Sequence, residues 1–375
     1  MPLLILGASV RAAAQSAARA GFTPVCGDLF ADADLRQAHP CHVAGRYPAG
    51  LAELARQFPP MPWIFTGGLE NWPTLVDQIS GRHTLYGNPP ATLRRVRDPL
   101  AVREALAKRG IGSPECRTLS DPPPRDGRWL LKQLRASGGG HVTVWNDRAA
   151  APGGRRPAWY FQRRVAGVSC GAVFAAAGAS SRLLGVTEQL LSGEANSPFR
   201  YTGSIGPRPL TAGQQACLAR LGEALAAEFS VRGLFGVDVM IDGDSAQPVE
   251  INPRYTASVE VLERATGVHA LALHAQACRE GLLADGQADR ARPWCGKRVV
   301  YAKRAVLISA QQSAAWLKEN AGRDWPVLAD IPVAGARVQP GQPLLTVLGE
   351  AENRESLLAE LAKRSRAVER NAAGG

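Results

Sequence analysis

Lysine is scarce in this chain of 375 residues: six of the 44 basic side chains are Lys and the rest are Arg. Histidine is scarce too, with six residues and no HExxH-type spacing, which argues against a zinc site. The seven cysteines form no CxxC pair and their number is odd, so they read as free thiols of a reducing cytoplasm rather than as a disulfide framework. No apolar run approaches the ~20 residues that a membrane-spanning helix needs. The opening Met1-Pro-Leu-Leu-Ile-Leu-Gly7 reads as a strand entering a glycine turn, not as a secretion leader. There is no internal repeat, no GKS or GKT of a Walker A loop, and no full GxGxxG for a dinucleotide.

What is present suits a folded α/β protein. Hydrophobic residues make up 45% and charged residues 21%, enough apolar material to bury a core, which excludes a disordered scaffold. The length points to two or three domains. The net charge of +11 comes from arginines scattered along the chain rather than massed in a stripe. That pattern fits a small anionic ligand such as a nucleotide better than nucleic acid.

Hydrophobic periodicity predicts a strand at residues 3–6, a helix of small residues over 10–20 and a second strand ending at Asp28. This is a βαβ opening. Trp63-Ile-Phe-Thr66 is a further strand running into Gly67-Gly68, and Tyr86-Gly-Asn-Pro-Pro90 marks a boundary. A single helix is expected over 91–109, ended by Gly110-Ile-Gly-Ser-Pro114. Trp129–Lys132 and His141–Val144 form a hairpin around Ser137-Gly138-Gly139-Gly140. Residues 159–162, 170–176 and 182–189 are expected to continue it as one antiparallel set. A long helix over 212–228 precedes the strands Gly233–Met240 and Gln247–Asn252. Residues 291–349 suggest short β structure, and 351–367 a helix.

Three elements carry chemistry together. Lys132 stands on a strand just before the glycine run, where backbone N–H groups and a point charge could meet phosphate oxygens; alone, such a hairpin is more often a plain turn. Asp238 interrupts the apolar run 234–240, a costly place for a carboxylate without a partner or a cation. Glu250 and Asn252 alternate with Val249 and Ile251 and so share one face of a strand. Hard oxygen donors on one face suit Mg²⁺, which keeps water and phosphate oxygens as its other ligands. Arg254 adds a permanent cation beside them. Around this set, Glu188 is either a site residue or a surface strand end, and Tyr201–Pro207 is either a substrate-closing loop or a plain turn. His141 reads as a loop residue and Cys170 as a small buried hydrophobe.

Glu250-Ile-Asn-Pro-Arg254, with Gly236-Val-Asp238 upstream and Lys132 before its Ser-Gly-Gly-Gly loop, resembles the ATP-grasp superfamily. Arg97-Asp-Pro99 and Tyr201-Thr-Gly-Ser-Ile-Gly-Pro207 further resemble its branch of predicted ATP-dependent carboligases related to biotin carboxylase. The resemblance covers about residues 1–290. It implies a Rossmann-like pre-ATP-grasp domain (1–88), a two-lobed ATP-grasp module (89–160 with the glycine loop, 161–290 with the metal site) and a β-rich C-terminal segment (291–375). It implies ATP and Mg²⁺ as cofactors. Lys132 and Ser137 to Gly140 would lie on the phosphates, and Gln162, Arg163 and Val165 at an adenine-binding hinge. Asp238, Glu250 and Asn252 would serve as metal ligands, and Arg254, with Lys132, as catalytic cations. The implied reaction joins a small-molecule carboxylate to an amine through an acyl phosphate, in small-molecule or cofactor biosynthesis, in the cytoplasm, with room for a homodimer and no nucleic-acid or membrane partner. A biotin-carboxylase-like carboxylation and a non-catalytic nucleotide-binding regulator are the alternatives. Two departures stand out: Arg97 where such enzymes often have a lysine, and Gln-Arg-Arg where their hinge is acidic.

Overall fold

A computed structural model describes residues 1–136, 138–149, 159–283 and 293–373. The N-terminal part holds β1 (Pro2–Leu6), α1 (Arg11–Arg19), β2 (Thr23–Asp28), α2 (Ala33–Ala38), β3 (Cys41–Val43), α3 (Gly50–Ala55), β4 (Pro62–Phe65), a 3₁₀ turn (Leu69–Asn71), α4 (Pro73–Ser80) and β5 (Thr84–Leu85). Its strands are all parallel, in the order β3-β2-β1-β4-β5. Because helices cover both faces of such a sheet, β1 is apolar at every position from Leu3 to Leu6, and all four are buried. The strand order reverses between β1 and β4, where crevices for ligands open at the carboxyl ends of the strands. The Gly67-Gly68 turn and Glu70 lie there.

The next part begins with α5 (Pro90–Val96) and α6 (Pro99–Lys108). The one helix expected over 91–109 is therefore two. Asp98 caps α6 by accepting from the Leu100 and Ala101 N–H groups, and Pro99 occupies its first turn, which breaks the helix at Arg97. Then β6 (Cys116–Thr118), β7 (Asp126–Gln133), β8 (Val142–Asn146) and β9 (Trp159–Arg163) form a small antiparallel sheet in the order β6-β9-β7-β8. The hairpin around the glycine run is present, with Lys132 opposite Val142.

The third part contains β10 (Val168–Ala177), β11 (Ser180–Leu191), β12 (Tyr201–Gly206), α7 (Ala212–Phe229), β13 (Gly233–Asp242), β14 (Ser245–Asn252), α8 (Ala257–Thr266) and α9 (Ala270–Glu280). It is followed by β15 (Trp294–Tyr301), β16 (Val306–Leu307), α10 (Ala310–Lys318), β17 (Leu328–Ala329), β18 (Arg337–Val338), β19 (Pro343–Ala351) and α11 (Arg354–Ala373). The large sheet runs β14-β13-β10-β11-β12-β15-β19-β17. Two expectations change here. The strands expected as one antiparallel set divide, β9 to the small sheet and β10 and β11 to the large one. Tyr201–Gly206 is a strand paired on both sides, not a loop. Strands from the C-terminal segment extend the large sheet.

One face of the large sheet packs on α7 through Phe174, Phe235, Val237 and Ile251. The other face, through Val173, Ala175 and Leu234, packs on α8, α9 and α1. Arg11 of α1 makes a two-pronged ion pair with Glu260 of α8, and Lys297 of β15 reaches the same carboxylate at 2.9 Å. That buried triad fastens the N-terminal part, the large sheet and the C-terminal strands together. Burial acts to raise the Glu260 carboxyl, but Arg11 and Lys297 override it and hold Glu260 below the usual carboxylate range. No described helix is long and apolar enough to cross a membrane.

Candidate active site

A cleft of about 770 Å³ lies between the small sheet and the uncovered end of the large one. Helices α8 and α9 cover the large sheet around Leu234, but farther along the same face Asp238 and Met240 look into the cleft. Strand pairing sets Asp238 directly opposite Glu250, and Gly236 opposite Asn252. The three expected metal donors therefore come together. Gln189 of β11 donates to Asp238 Oδ1 at 2.9 Å, and Asn252 Nδ2 lies 3.4 Å from Asp238 Oδ2.

The pairing of β13 with β14 is irregular: Glu250 faces Asp238 and Pro248 faces Val239, so Val249 is an extra, bulged residue. The bulge frees the Val249 carbonyl, which accepts from Lys132 Nζ at 3.1 Å and from Gln162 Nε2 at 3.2 Å. Lys132 Nζ also donates to Gln162 Oε1 at 3.0 Å. Burial acts against the ammonium, yet Tyr160 and Glu250 beside it raise its pKa above the lysine value, so it stays charged. Gln162 thus holds Lys132 through its side chain. Arg163 is exposed at the end of β9, and Val165 lines the cleft just beyond.

The glycine turn reaches across the cleft. Gly138 and Gly139 have φ of 76° and 73°, and a Cβ on Gly139 would sit 2.0 Å from the Phe199 carbonyl oxygen. The Tyr201 N–H donates to the Gly138 carbonyl at 3.0 Å. Glycine is required at 139 on both counts, backbone conformation and space. Gly140 follows in the same turn; Ser137 lies outside the described residues.

Two groups from outside β13 and β14 reach the same end of the cleft. Arg97, at the break between α5 and α6, pairs with Glu250 at 2.6 Å and also donates to the Ile251 carbonyl, Asn71 Oδ1 and the Leu134 and Ala136 carbonyls. Arg254 pairs with the fully buried Glu70 at 2.8 Å, approaches Asn252 Oδ1 at 3.3 Å and lies against Gly67. The crevice of the parallel sheet thereby meets the cation just beyond the end of β14. Burial would raise the Glu250 carboxyl, but Arg97 and then Lys132 hold it below its ordinary range. Burial first, and the Glu250 charge second, push Asp238 up to about 7. Two carboxylates face to face, one resisting ionisation, are a place that a divalent cation would stabilise.

The sequence missed Glu70, Asn71 and Gln189 as site residues, and gave Arg97 only as a stand-in for a lysine. The Asp98-Pro99 helix-start signal was the available clue to Arg97's position at a helix end; Glu70 and Asn71 leave no local signal. Glu188 faces away from the cleft, bound by Arg208 at 2.9 Å and Arg354 at 2.8 Å.

No group of three or more His, Cys, Asp or Glu gathers among the described residues. Two carboxylates and one amide oxygen nevertheless fit Mg²⁺, which leaves most of its coordination to water and phosphate.

Residues 96–258 match the ATP-grasp domain family. No match is found among curated protein sequences. Among solved structures, the chain is similar to the L-amino acid ligase from Bacillus licheniformis, with a TM-score of 0.69 at 14% identity over 96% of each chain. It is similar to N5-carboxyaminoimidazole synthase from Aspergillus clavatus in complex with ADP and 5-aminoimidazole ribonucleotide (TM-score 0.68, 14% identity, 98% of each chain). It is similar also to the biotin carboxylase domain of the Hydrogenobacter thermophilus 2-oxoglutarate carboxylase, bound to MgADP and bicarbonate (TM-score 0.68, 13% identity, 97% of this chain and 89% of that one). The chain has the ATP-grasp fold.

Proposed function

We propose that this protein is an ADP-forming ligase that activates a small-molecule carboxylate with ATP and joins it to an amine. The observation that carries this reading is the facing pair Asp238 and Glu250, set in a large cleft with Lys132 and Arg254 on either side. A structure built only to bind nucleotide has no need of two opposed carboxylates beside a tethered arginine. The relatives of the same fold whose solved structures hold ADP with an amine, or MgADP with bicarbonate, support the same reading.

In this reading the triphosphate lies along the cleft, with its phosphates under Gly138 to Gly140 and beside Lys132 and the base toward Gln162, Arg163 and Val165. Asp238, Glu250 and Asn252 would hold Mg²⁺, which when bound would supply positive charge against the phosphates. A substrate carboxylate oxygen attacks the γ-phosphorus, the bond from that phosphorus to the β-phosphate oxygen breaks, and ADP leaves. Arg254 neutralises charge on the transferred group, and Glu70 fixes the direction in which its guanidinium points. The amine nitrogen then attacks the acyl carbon, inorganic phosphate departs and the nitrogen gives up a proton. The glycine turn seated on Phe199 and Tyr201 keeps water from the acyl phosphate.

The test is release of ADP and phosphate by the purified protein offered panels of carboxylic acids and amines. Equimolar ADP and phosphate that require both an acid and an amine are expected. Release with bicarbonate in place of the organic acid would move the reading to carboxylation. Nucleotide binding with no release from any pair would move it to regulation.

A further inference from the structure

Behind β12, on the side away from the cleft, lies a second concavity of about 560 Å³. The chain entering β12 is a wall shared by the two: Phe199 and Tyr201 line the cleft, while Arg200 and Thr202 line the concavity. Four cations gather in it, Arg200, Arg298 of β15, Lys303 and Arg366 of α11. Only two acids are present, and both are engaged: Glu194 with Arg200 at 2.7 Å and Glu369 with Lys303 at 2.8 Å. Arg298 and Arg366 have no acidic partner among the described residues. Arg200 stacks on the Tyr301 ring at 4.3 Å, and its Nε is buried without an acceptor. A buried guanidinium donor left unsatisfied and two unpaired arginines in one hollow are the makings of an anion site.

We propose that this concavity binds a small organic dianion, a phosphomonoester or a dicarboxylate, and that the bound anion acts on the glycine turn through β12. The excess of two positive charges sets the charge of the ligand. The volume exceeds that of an inorganic ion, and Val299 and Ala362 give an organic body apolar surface to rest on. The connection to the cleft is two hydrogen bonds long. Tyr301, under Arg200, donates its hydroxyl to the Tyr201 carbonyl at 2.8 Å, and the Tyr201 N–H donates to the Gly138 carbonyl. An anion that draws Arg200 off the Tyr301 ring alters the support of the strand on which the glycine turn rests.

The experiment titrates the full chain, saturated with Mg²⁺ and a non-hydrolysable ATP analogue so that the cleft is filled, with glycerol 3-phosphate and with succinate by calorimetry. One site per chain is expected for at least one of the two. Its affinity should fall at least tenfold in Arg366→Ser and further in the Arg298→Ser/Arg366→Ser double variant, while Arg254→Lys leaves it unchanged. Preference for glycerol 3-phosphate or for succinate assigns the ligand class. Hydrogen exchange at residues 138–142 should change when the probe binds. No binding of either probe, binding that survives in Arg366→Ser, or loss of binding in Arg254→Lys would overturn the site. Exchange unaffected by a bound probe would overturn its action on the turn.

Discussion

Two buried clusters of charge, one around Glu260 of α8 and one around the β13–β14 pair that precedes it, are built from the same kinds of residue and put to different ends. In the first, Glu260 is saturated: both its oxygens receive Arg11, and one also receives Lys297. In the second, Glu250 is paired with Arg97, but it stands opposite another carboxylate, Asp238, and the neighbouring Glu70 keeps one buried oxygen with no partner at all. The first cluster has nothing left to bind. In the second, Arg97, Lys132 and Arg254 match the three carboxylates in number, yet no ion pair reaches Asp238 and one Glu70 oxygen lacks a donor, so the cluster is unfinished where it faces the cleft. Buried charge by itself does not mark a site; polar groups left without a direct partner in a cleft do.

Substitutions can break that contrast. The largest expected effect is on stability, from Glu260→Ala, which strands the buried Lys297 and leaves Arg11 only its contacts with Asp330, Asp34 and Gln15, and should cost about 3–5 kcal/mol in urea denaturation. A loss below 1 kcal/mol would mean that the triad is not what fastens the three parts. Glu250→Gln keeps an acceptor for Arg97 and relieves the repulsion with Asp238, so its stability should stay within about 1 kcal/mol of the parent. Its ADP release should nevertheless fall about 10²–10³-fold. Parental turnover in a purified Glu250→Gln protein would remove the carboxylate from the metal set. Lys132→Ala should weaken ATP binding by about 1–3 kcal/mol, the range for a charge-assisted contact, and an unchanged dissociation constant would place the phosphates elsewhere.

An effect of pH alone sharpens the comparison on the structural side. Next to the Arg11 triad, burial first and then Asp330, Asp34 and Asp28 push the Asp32 carboxyl up to about 9. Its folded pKa then exceeds its unfolded one, so the native state holds the extra proton, and stability falls as pH rises through the range up to 9. From pH 7 to 9 this contributes a slope of at most about 1.4 kcal/mol per pH unit. Asp32→Asn should flatten thermal denaturation midpoints over that range, and a slope kept in the variant would assign it to other groups.

Local pattern carried much of this architecture. The alternation of Val249, Glu250, Ile251 and Asn252 set both polar residues on one face, and the glycine run between two β-patterned segments showed its hairpin. The break at Arg97 was also legible, since Asp98-Pro99 is a helix start, but the apolar spacing on either side of it concealed the gap. Tyr201–Gly206 hid as a loop because glycine and proline disguise a strand whose partners lie on either side of it in space, β11 just upstream and β15 far off in sequence. Glu70 depended on tertiary contact alone: nothing within several residues of it says that it will meet an arginine 184 positions away. The bulge that frees the Val249 carbonyl belongs to the same class, a property of two strands in register and of neither one by itself.

The β12 edge has a practical meaning. The family match stops at residue 258, inside α8, whereas β12 is hydrogen-bonded to β15 from Gly203 to Gly206. A fragment cut to the matched residues would lose Lys297 and leave the β12 backbone with unpaired N–H and C=O groups along one side. Such an edge is a template for pairing with another copy of itself. Expressed alone, the matched fragment should aggregate as intermolecular sheet, and adding back the C-terminal strands in trans should dissolve it.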